Sequence, residues 1–129
     1  GYVAAMRKNG KLPINMEYDE LNEEVDNVLR KILRDHVPEV LICSNDIIAI
    51  SALKKLKEWG YKIPEQINVA GFDNIPDAEK EGLSTLHVQK SELGLNAVKR
   101  LYELLNNQSS HPYKQCLYTS YVKRDSTII

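Results

Sequence analysis

The 129-residue sequence has no marked excess of either charge and no long apolar run. Its 17 Lys and Arg residues nearly balance 18 Asp and Glu residues, which gives a formal net charge of -1. A domain that attracts nucleic acid through its overall field carries a basic excess, so this balance does not support DNA binding by the chain itself. No apolar run approaches the roughly 20 residues that a membrane span needs, and we expect no membrane association.

Cysteine is also scarce, with two residues in the chain. Cys43 and Cys116 have no further ligands at metal-binding spacing, so we expect no metal site and no cofactor. A reduced, buried pair is the expectation for a protein of the cytoplasm. No signal peptide is visible, but the chain begins at Gly1 rather than Met, so that absence carries little weight.

Short apolar runs alternate with amphipathic segments along the chain. Hydrophobic residues make up 43% of the sequence and charged residues 27%, which is typical of one ordinary globular domain. Helical periodicity and stop signals predict helices over Gly1 to Lys8, Asp19 to Arg34, Ile47 to Trp59, Pro76 to Glu81 and Ser91 to Leu105. Strands are predicted over Val40 to Cys43, Ile67 to Phe72, Thr85 to Val88 and Cys116 to Val122.

This alternation predicts the α/β class, with an open parallel sheet in three layers and helices on both faces. The run from Val40 to Cys43 shows no polar alternation, which is typical of a parallel strand buried on both faces. Strand, helix and strand from Val40 to Phe72 form a βαβ unit, whose crossover is almost always right-handed. The last helix is expected to carry an apolar face that includes Leu93, Val98 and Leu101.

Polar side chains follow the predicted strands directly. In an open parallel sheet, ligands gather at the carboxyl ends of the strands, which here are Ser44-Asn45-Asp46, Phe72-Asp73-Asn74 and His87 to Lys90. Carboxylates, amides and an aromatic ring suit a neutral polyhydroxylated ligand such as a sugar. The alternative is purely structural: Asp46 caps the helix that follows it and Asp73 forms a turn, and composition alone favours that interpretation.

An enzyme is a further alternative. Ser44, Asp46 and His87 supply the residue types of a hydrolase triad. However, no glycines flank Ser44 as a nucleophile elbow requires, and the histidines are scattered. We therefore expect no catalytic residues and no enzymatic activity.

Several motifs recur in the order and spacing of a known family. The sequence reads Val-Leu-Ile-Cys-Ser-Asn-Asp over residues 40–46, Trp-Gly at 59–60, Val-Ala-Gly-Phe-Asp-Asn over 69–74, Leu-Ser-Thr-Leu over 83–86, Glu-Leu-Gly over 92–94 and Val-Lys-Arg-Asp-Ser over 122–126. Taken together, they make the chain similar to the lactose/galactose-repressor (LacI/GalR) family of bacterial transcription regulators. The resemblance covers almost the whole sequence.

The resemblance implies that residues 1–129 form the C-terminal lobe of an effector-binding domain with a type I periplasmic-binding-protein-like fold. In that family a small effector, here expected to be a sugar or sugar derivative, lies between two lobes and controls DNA affinity. The first lobe and the DNA-binding domain would be absent from this chain, so operator DNA would be bound only through that missing N-terminal part. A homodimeric repressor is expected. The alternative is a secreted or periplasmic sugar-binding protein of a transport system, which shares the fold.

The resemblance also implies site residues. Asp46 matches the family's effector-contacting aspartate. The other effector-binding candidates are Asn45, Phe72, Asp73, Val88 and Lys90. The family more often has Gln at the position of Val88, so the identity of the ligand is open, and Lys90 either favours an acidic or phosphorylated sugar or points to solvent. A helix face with Ile47, Ile50 and Lys54 is the candidate dimer interface.

Overall fold

The computed structural model describes residues 1–17, 24–106, 111 and 114–128. The chain divides into two compact units, Gly1–Pro38 and Glu39–Ile129. The helices are α1 (Tyr2–Lys8), α2 (Val25–Asp35), α3 (Asp46–Glu58), α4 (Pro76–Lys80) and α5 (Lys90–Leu105). The strands are β1 (Val40–Ile42), β2 (Asn68–Asp73), β3 (Ser84–His87) and β4 (Ser120–Val122).

The first unit contains α1 and α2. The helix predicted at the start of the chain is confirmed as α1, and it ends before Gly10, whose φ of +66° suits a residue without a Cβ. The next predicted helix is confirmed from Val25 onwards, after Glu24 in an extended conformation. Its predicted first residues, 19–23, lie outside the described residues.

The second unit is built around a four-stranded sheet in the order β1-β2-β3-β4. The first three strands are parallel, which confirms the α/β class and the βαβ unit formed by β1, α3 and β2. The sheet is not wholly parallel as expected, because β4 runs antiparallel to β3. Chain direction in a last strand depends on the path of the preceding connection, which the pattern of residues 116–122 does not reveal.

The core of this unit lies between α3 and the sheet. One apolar face of α3 is buried, as are the side chains that face it from the sheet and its flanking turns. The fully buried apolar members are Ala49, Ala52, Leu53, Leu56, Ile67, Val69, Ala78 and Leu83. Burying a side chain of Leu or Ile size contributes about 2 kcal/mol to stability, so this cluster fixes α3 and β2 relative to each other.

Burial differs from the sequence prediction at two elements. Val40 and Ile42 of β1 are 41% and 59% exposed, so this strand is not buried on both faces. It pairs with β2 alone at one edge of the sheet, and an apolar run does not distinguish an edge strand from a central one. No residue of α5 is buried either, since the spacing of its leucines specifies a face but not a partner for it.

The cysteine prediction is confirmed in one respect and wrong in another. Both cysteines are free thiols. Cys43 is buried as expected, but Cys116 is exposed, because the strand that was predicted from residue 116 begins only at Ser120. Within the described part of the chain, no helix has the length and apolar character needed to cross a membrane.

Candidate functional site

A surface cavity of about 490 Å³ lies at the carboxyl ends of β2 and β3. This is the edge of the sheet at which the sequence predicts ligand binding. Its lining comes from the turn after β2, the end of β3 and the first turn of α5: Asp73, Asn74, Ile75, Pro76, His87, Val88, Gln89, Lys90, Ser91 and Glu92. The walls therefore mix apolar surface with two carboxylates, two amides, a hydroxyl, an imidazole and an ammonium group.

The turn after β2 has an unusual backbone. Asp73 has a φ of 111° and Asn74 a φ of 52°, so two consecutive residues with side chains lie at positive φ. Asn and Asp tolerate the left-handed region better than other residues with a Cβ, but such conformations still cost free energy. The surrounding structure must therefore hold the turn in place.

The side chain of Asp46, which is buried beneath the turn, stabilises the turn through hydrogen bonds. Its side chain is fully buried at the first residue of α3. Oδ1 accepts a hydrogen bond from the hydroxyl of Thr85 at 2.6 Å, and Oδ2 accepts one from the backbone N–H of Ile75 at 2.9 Å. The backbone N–H of Asn74 donates to the same Thr85 hydroxyl oxygen at 3.3 Å. We call this set of contacts between Asp46, Thr85, Asn74 and Ile75 the aspartate bridge.

Gly71 makes room for the aspartate bridge. A Cβ atom at this position would overlap Asp46 Oδ1 and lie 3.0 Å from Leu83 Cδ2 and 3.2 Å from Ala49 Cβ. Only a residue without a side chain allows the carboxylate to lie so close to β2. The glycine of the Gly-Phe-Asp motif is thus explained by the packing of Asp46 rather than by a turn.

Asn74 connects the turn to the cavity wall and to the last strand region. Its Nδ2 lies 3.1 Å from Nδ1 of His87. Its Oδ1 accepts a hydrogen bond of 2.9 Å from the guanidinium of Arg124. Arg124 also donates to the carbonyl of Leu83 at 2.8 Å, so the guanidinium spans the end of the sheet.

Asp73 and Lys90 face each other across the cavity rim. Lys90 Nζ and Asp73 Oδ1 are 3.6 Å apart, with the side chains 55% and 35% exposed. An exposed pair at this distance contributes little to stability, at most about 1 kcal/mol. Both groups therefore remain available to exchange this contact for a ligand hydroxyl or anionic group.

The structure brings together three of the six predicted effector-binding residues. Asp73, Val88 and Lys90 line the cavity. Phe72, Asn45 and Asp46 are not among its lining residues. Asn45 caps α3 by accepting a hydrogen bond of 2.9 Å from the N–H of Ile48.

Asp46 has both carboxylate oxygens engaged within the fold and no exposed surface. Effector contact by this residue stays a prediction, and it would require the turn to move aside. Sequence reasoning passed over Asn74 and His87, although both lie in segments that it assigned to the binding edge. The available signal was a polar residue at, or directly after, the last position of a strand, since His87 ends β3 and Asn74 follows β2.

The predicted dimer face lies on α3. Ile47 is 68% exposed, Ile50 is half-buried, and Lys54 forms an ion pair of 2.7 Å with Glu81. Its role as an interface stays a prediction.

The metal site and the hydrolase triad, both of which the sequence analysis expects to be absent, can be compared with the described residues. No cluster of three potential metal ligands occurs among the residues that the structure describes. Asp46 and His87, two members of the hydrolase triad considered above, each bond to other partners. Cys43, next to Ser44, is a poor nucleophile because burial raises the pKa of its thiol to about 12.

Comparison with known proteins yields a family match over nearly the whole chain. A family model described as a periplasmic binding protein-like domain matches residues 1–127. The HTH-type transcriptional repressor PurR of Pasteurella multocida is 36% identical over 116 residues, which cover 84% of this chain and 34% of that protein. PurR of Histophilus somni is 33% identical over 101 residues, covering 76% of this chain and 30% of that protein.

Solved structures have the same fold. A LacI family transcriptional regulator from Arthrobacter sp. FB24, in complex with lactose, has a TM-score of 0.83 at 27% identity, covering 97% of this chain and 48% of that one. The lac repressor dimer bound to operator and the anti-inducer ONPF has a TM-score of 0.85 at 25% identity, covering 100% and 46%. The chain thus spans about a third of the length of the curated relatives and about half of these structures.

Proposed function

The chain belongs to the periplasmic binding protein-like domain family, as part of a LacI/GalR-type effector-binding domain, and we propose that it forms one wall of the effector site of a transcription repressor. In this proposal it is the C-terminal lobe, and the other wall comes from a first lobe. DNA binding belongs to a separate N-terminal domain of the whole protein. The effector regulates DNA affinity by binding one arrangement of the lobes more tightly than the other.

The observation that carries this proposal is the cavity at the carboxyl ends of β2 and β3. It lies at the edge of a parallel sheet, where ligands of open α/β folds bind. Asp73 is on its rim, half-exposed and held in a strained backbone conformation by the aspartate bridge. Strain that the surroundings maintain at a ligand-accessible position is typical of a binding site.

The proposed effector is a small carbohydrate-like molecule. Asp73 supplies acceptors for ligand hydroxyl groups, while Asn74, His87 and Lys90 supply further polar groups to the cavity lining. The lactose complex of the Arthrobacter regulator supports this ligand class. Lys90 extends the range of possible effectors to acidic or phosphorylated sugars. Its ammonium group can give up the weak ion pair with Asp73 and bind an anionic group of the ligand at little cost in free energy.

Within this site we assign different roles to the two aspartates. Asp73 contacts the effector, together with Val88 and Lys90. Asp46 acts on binding through the turn that it supports, and Asn45 acts through the start of α3. Any direct contact of Asp46, Asn45 or Phe72 would follow from lobe closure around the ligand.

The remaining parts of the proposal concern the whole protein. It is a homodimer in which Ile47, Ile50 and Lys54 of α3 meet the second copy, as the dimeric state of the lac repressor neighbour suggests. It works in the cytoplasm, where its operator DNA is, and it catalyses no reaction. A transport-system binding protein is the less favoured alternative, because the curated relatives are named as transcriptional repressors.

Calorimetry on the intact protein tests the effector site. The ligand panel contains neutral sugars, sugar phosphates and small heterocyclic metabolites. We expect one class to bind, and Asp73→Ala to weaken that binding at least about 30-fold, since a buried charge-assisted hydrogen bond contributes about 2 kcal/mol.

Asp77→Ala is the matched control. Asp77 is an exposed carboxylate on α4, engaged with Lys80, and does not line the cavity. Its replacement should leave affinity unchanged. Equal affinities of wild type and Asp73→Ala for the true effector would contradict the assignment of the cavity as the effector site.

A further inference from the structure

The imidazole of His87 has a fixed environment on one side and an open cavity on the other. Its Nδ1 lies 3.1 Å from Asn74 Nδ2, and the residue lines the cavity. A neutral imidazole has one N–H donor and one acceptor nitrogen, and distance alone does not say which is which. The assignment depends on whether Asn74 donates to Nδ1 or accepts from it.

Arg124 decides the orientation of the Asn74 amide. A guanidinium has only donors, so the Asn74 atom 2.9 Å from Arg124 must be the acceptor oxygen. Turning the amide over would place its NH₂ group against the guanidinium, with two donors facing each other. The NH₂ group therefore points to His87 and donates a hydrogen bond to Nδ1.

The guanidinium that sets this orientation is itself well anchored. Its second amino group donates to the carbonyl of Leu83 at 2.8 Å. The backbone N–H of Arg124 donates to the hydroxyl of Ser84 at 2.8 Å, and that hydroxyl donates back to the carbonyl of Arg124 at 3.1 Å. Arg124 is thus held at both its backbone and its side chain.

Asn74 is fixed from its backbone as well. Its N–H donates to Thr85, whose hydroxyl proton is engaged by Asp46, so the aspartate bridge determines where the amide side chain begins. The aspartate bridge fixes the backbone of Asn74, and Arg124 fixes the oxygen of its side-chain amide, so this amide has little freedom to rotate.

We propose that Arg124 and Asn74 act as positioning residues that hold His87 as the tautomer with its proton on Nε2, so that the cavity wall offers a neutral N–H donor at this point. Nδ1 is the acceptor for Asn74, and Nε2–H has no hydrogen-bond partner among the residues that the structure describes. His87 then determines specificity by requiring an acceptor atom, such as a hydroxyl, carbonyl or phosphate oxygen, on the ligand.

This ligand requirement rests on the proposed effector site, whereas the tautomer itself does not. Asp73 is an acceptor and His87 is a neutral donor. A ligand in the cavity would therefore need a donor group opposite Asp73 and an acceptor atom opposite His87. A site that leaves a donor unpaired discriminates strongly against a ligand that lacks the matching acceptor.

Nitrogen NMR on the intact ¹⁵N-histidine-labelled protein tests the tautomer without any ligand. Long-range proton–nitrogen spectra at about pH 8, where an ordinary histidine is neutral, distinguish a protonated ring nitrogen from one with a lone pair. The signal that disappears in His87→Gln belongs to His87. In wild type we expect a lone pair on Nδ1 and a proton on Nε2, and a protonated Nδ1 would overturn the proposal.

Asn74→Asp is the decisive variant, because a free imidazole already favours the Nε2–H form. The carboxylate keeps the Arg124 contact but offers only acceptors to His87, and Asp tolerates the positive φ of this position. We expect Nδ1 to gain a proton. Asn106→Asp, which adds the same charge at the end of α5, should leave the His87 signals unchanged.

Arg124→Met provides a second variant if Asn74→Asp does not fold. It frees the amide to turn over, so the Nδ1–H form should rise at least several-fold, while Lys123→Met should have no effect. A His87 signal that stays wholly Nε2–H in both Asn74→Asp and Arg124→Met would overturn the positioning role. Such a result would leave the effector-site proposal intact, since that proposal depends on binding to Asp73.

Discussion

The carboxyl ends of β1 and β2 have similar sequences, but their aspartates have different environments in the structure. An Asn and an Asp lie at the carboxyl end of each strand, as Asn45-Asp46 shortly after β1 and as Asp73-Asn74 where β2 ends. Asp46 is fully buried and engaged inside the fold, whereas Asp73 is partly exposed on the cavity rim. Chemical type and position at the sheet edge therefore do not distinguish a supporting residue from one that lines the cavity, whereas the hydrogen bonds do.

The largest expected effect is a difference in the free energy of unfolding that is lost when each of the two aspartates is replaced. Asp46→Ala leaves the N–H of Ile75 and the hydroxyl of Thr85 without their partner, and should lower the free energy of unfolding by about 3 kcal/mol. Asp73→Asn removes only an exposed ion pair and keeps a residue type that tolerates the positive φ of this position, so it should change the free energy of unfolding by less than about 1 kcal/mol. Urea denaturation measures both. Similar losses for the two variants would contradict the division of roles.

Glycine replacements test the space that the buried aspartate needs. Gly71→Ala places a Cβ against Asp46, Leu83 and Ala49, and should cost about 2 kcal/mol of unfolding free energy. Gly94 is the matched control, because a Cβ there meets nothing within 4 Å. Gly94→Ala lies inside α5 and should stabilise the protein by about 0.5 kcal/mol. A harmless Gly71→Ala in the same thermal-melt series would show that Asp46 does not need this close approach.

Thr85→Val tests the connection between the two strand ends at constant shape. It removes the hydroxyl that donates to Asp46 and accepts from Asn74, and should cost about 1.5 kcal/mol in urea denaturation. It should also weaken effector binding, since the turn that presents Asp73 loses a support. The control is Thr119→Val in the segment before β4, which should leave both stability and binding unchanged. If Thr85→Val lost stability but bound effector normally, the bridge would be purely structural.

The smallest expected effect is a loss of stability at alkaline pH that is caused by the buried thiol of Cys43, at the end of β1. Burial raises the pKa of this thiol to about 12, so the unfolded chain loses the proton at lower pH than the folded one. The resulting stability is present at neutral pH and declines as pH rises above about 9, by on the order of 1 kcal/mol at about pH 10. Cys43→Ala should remove that part of the alkaline slope in denaturation curves, and the exposed-cysteine variant Cys116→Ala should not. Equal slopes in wild type and Cys43→Ala would contradict it.

Much of the fold follows from the sequence because its pattern is local. Helical periodicity and stop signals predicted α3 and α4 to within one residue at each end. The direction of β4 and the exposure of β1 and α5 did not follow, because each depends on which other segment of chain lies alongside. Local pattern carries no information about that neighbour.

The position of the cavity at the strand ends also followed from the sequence, but its internal organisation did not. The position of Asp73, Val88 and Lys90 at strand ends was sufficient to bring them to the cavity. The inward role of Asp46 depends on Thr85 and Ile75, which lie 39 and 29 residues away along the chain. The same holds for Asn74 and Arg124, separated by 50 residues.

The aspartate bridge has a consequence for evolution and engineering. Its buried members Asp46 and Thr85 do not line the cavity, whereas the exposed Asp73–Lys90 pair on the rim contributes at most about 1 kcal/mol to stability. A lineage, or a library, can therefore replace the side chain of Lys90 and, among residue types that tolerate positive φ, that of Asp73, without first needing compensating stabilisation. The separation makes this edge of the sheet a suitable place to randomise when building a biosensor from the intact protein.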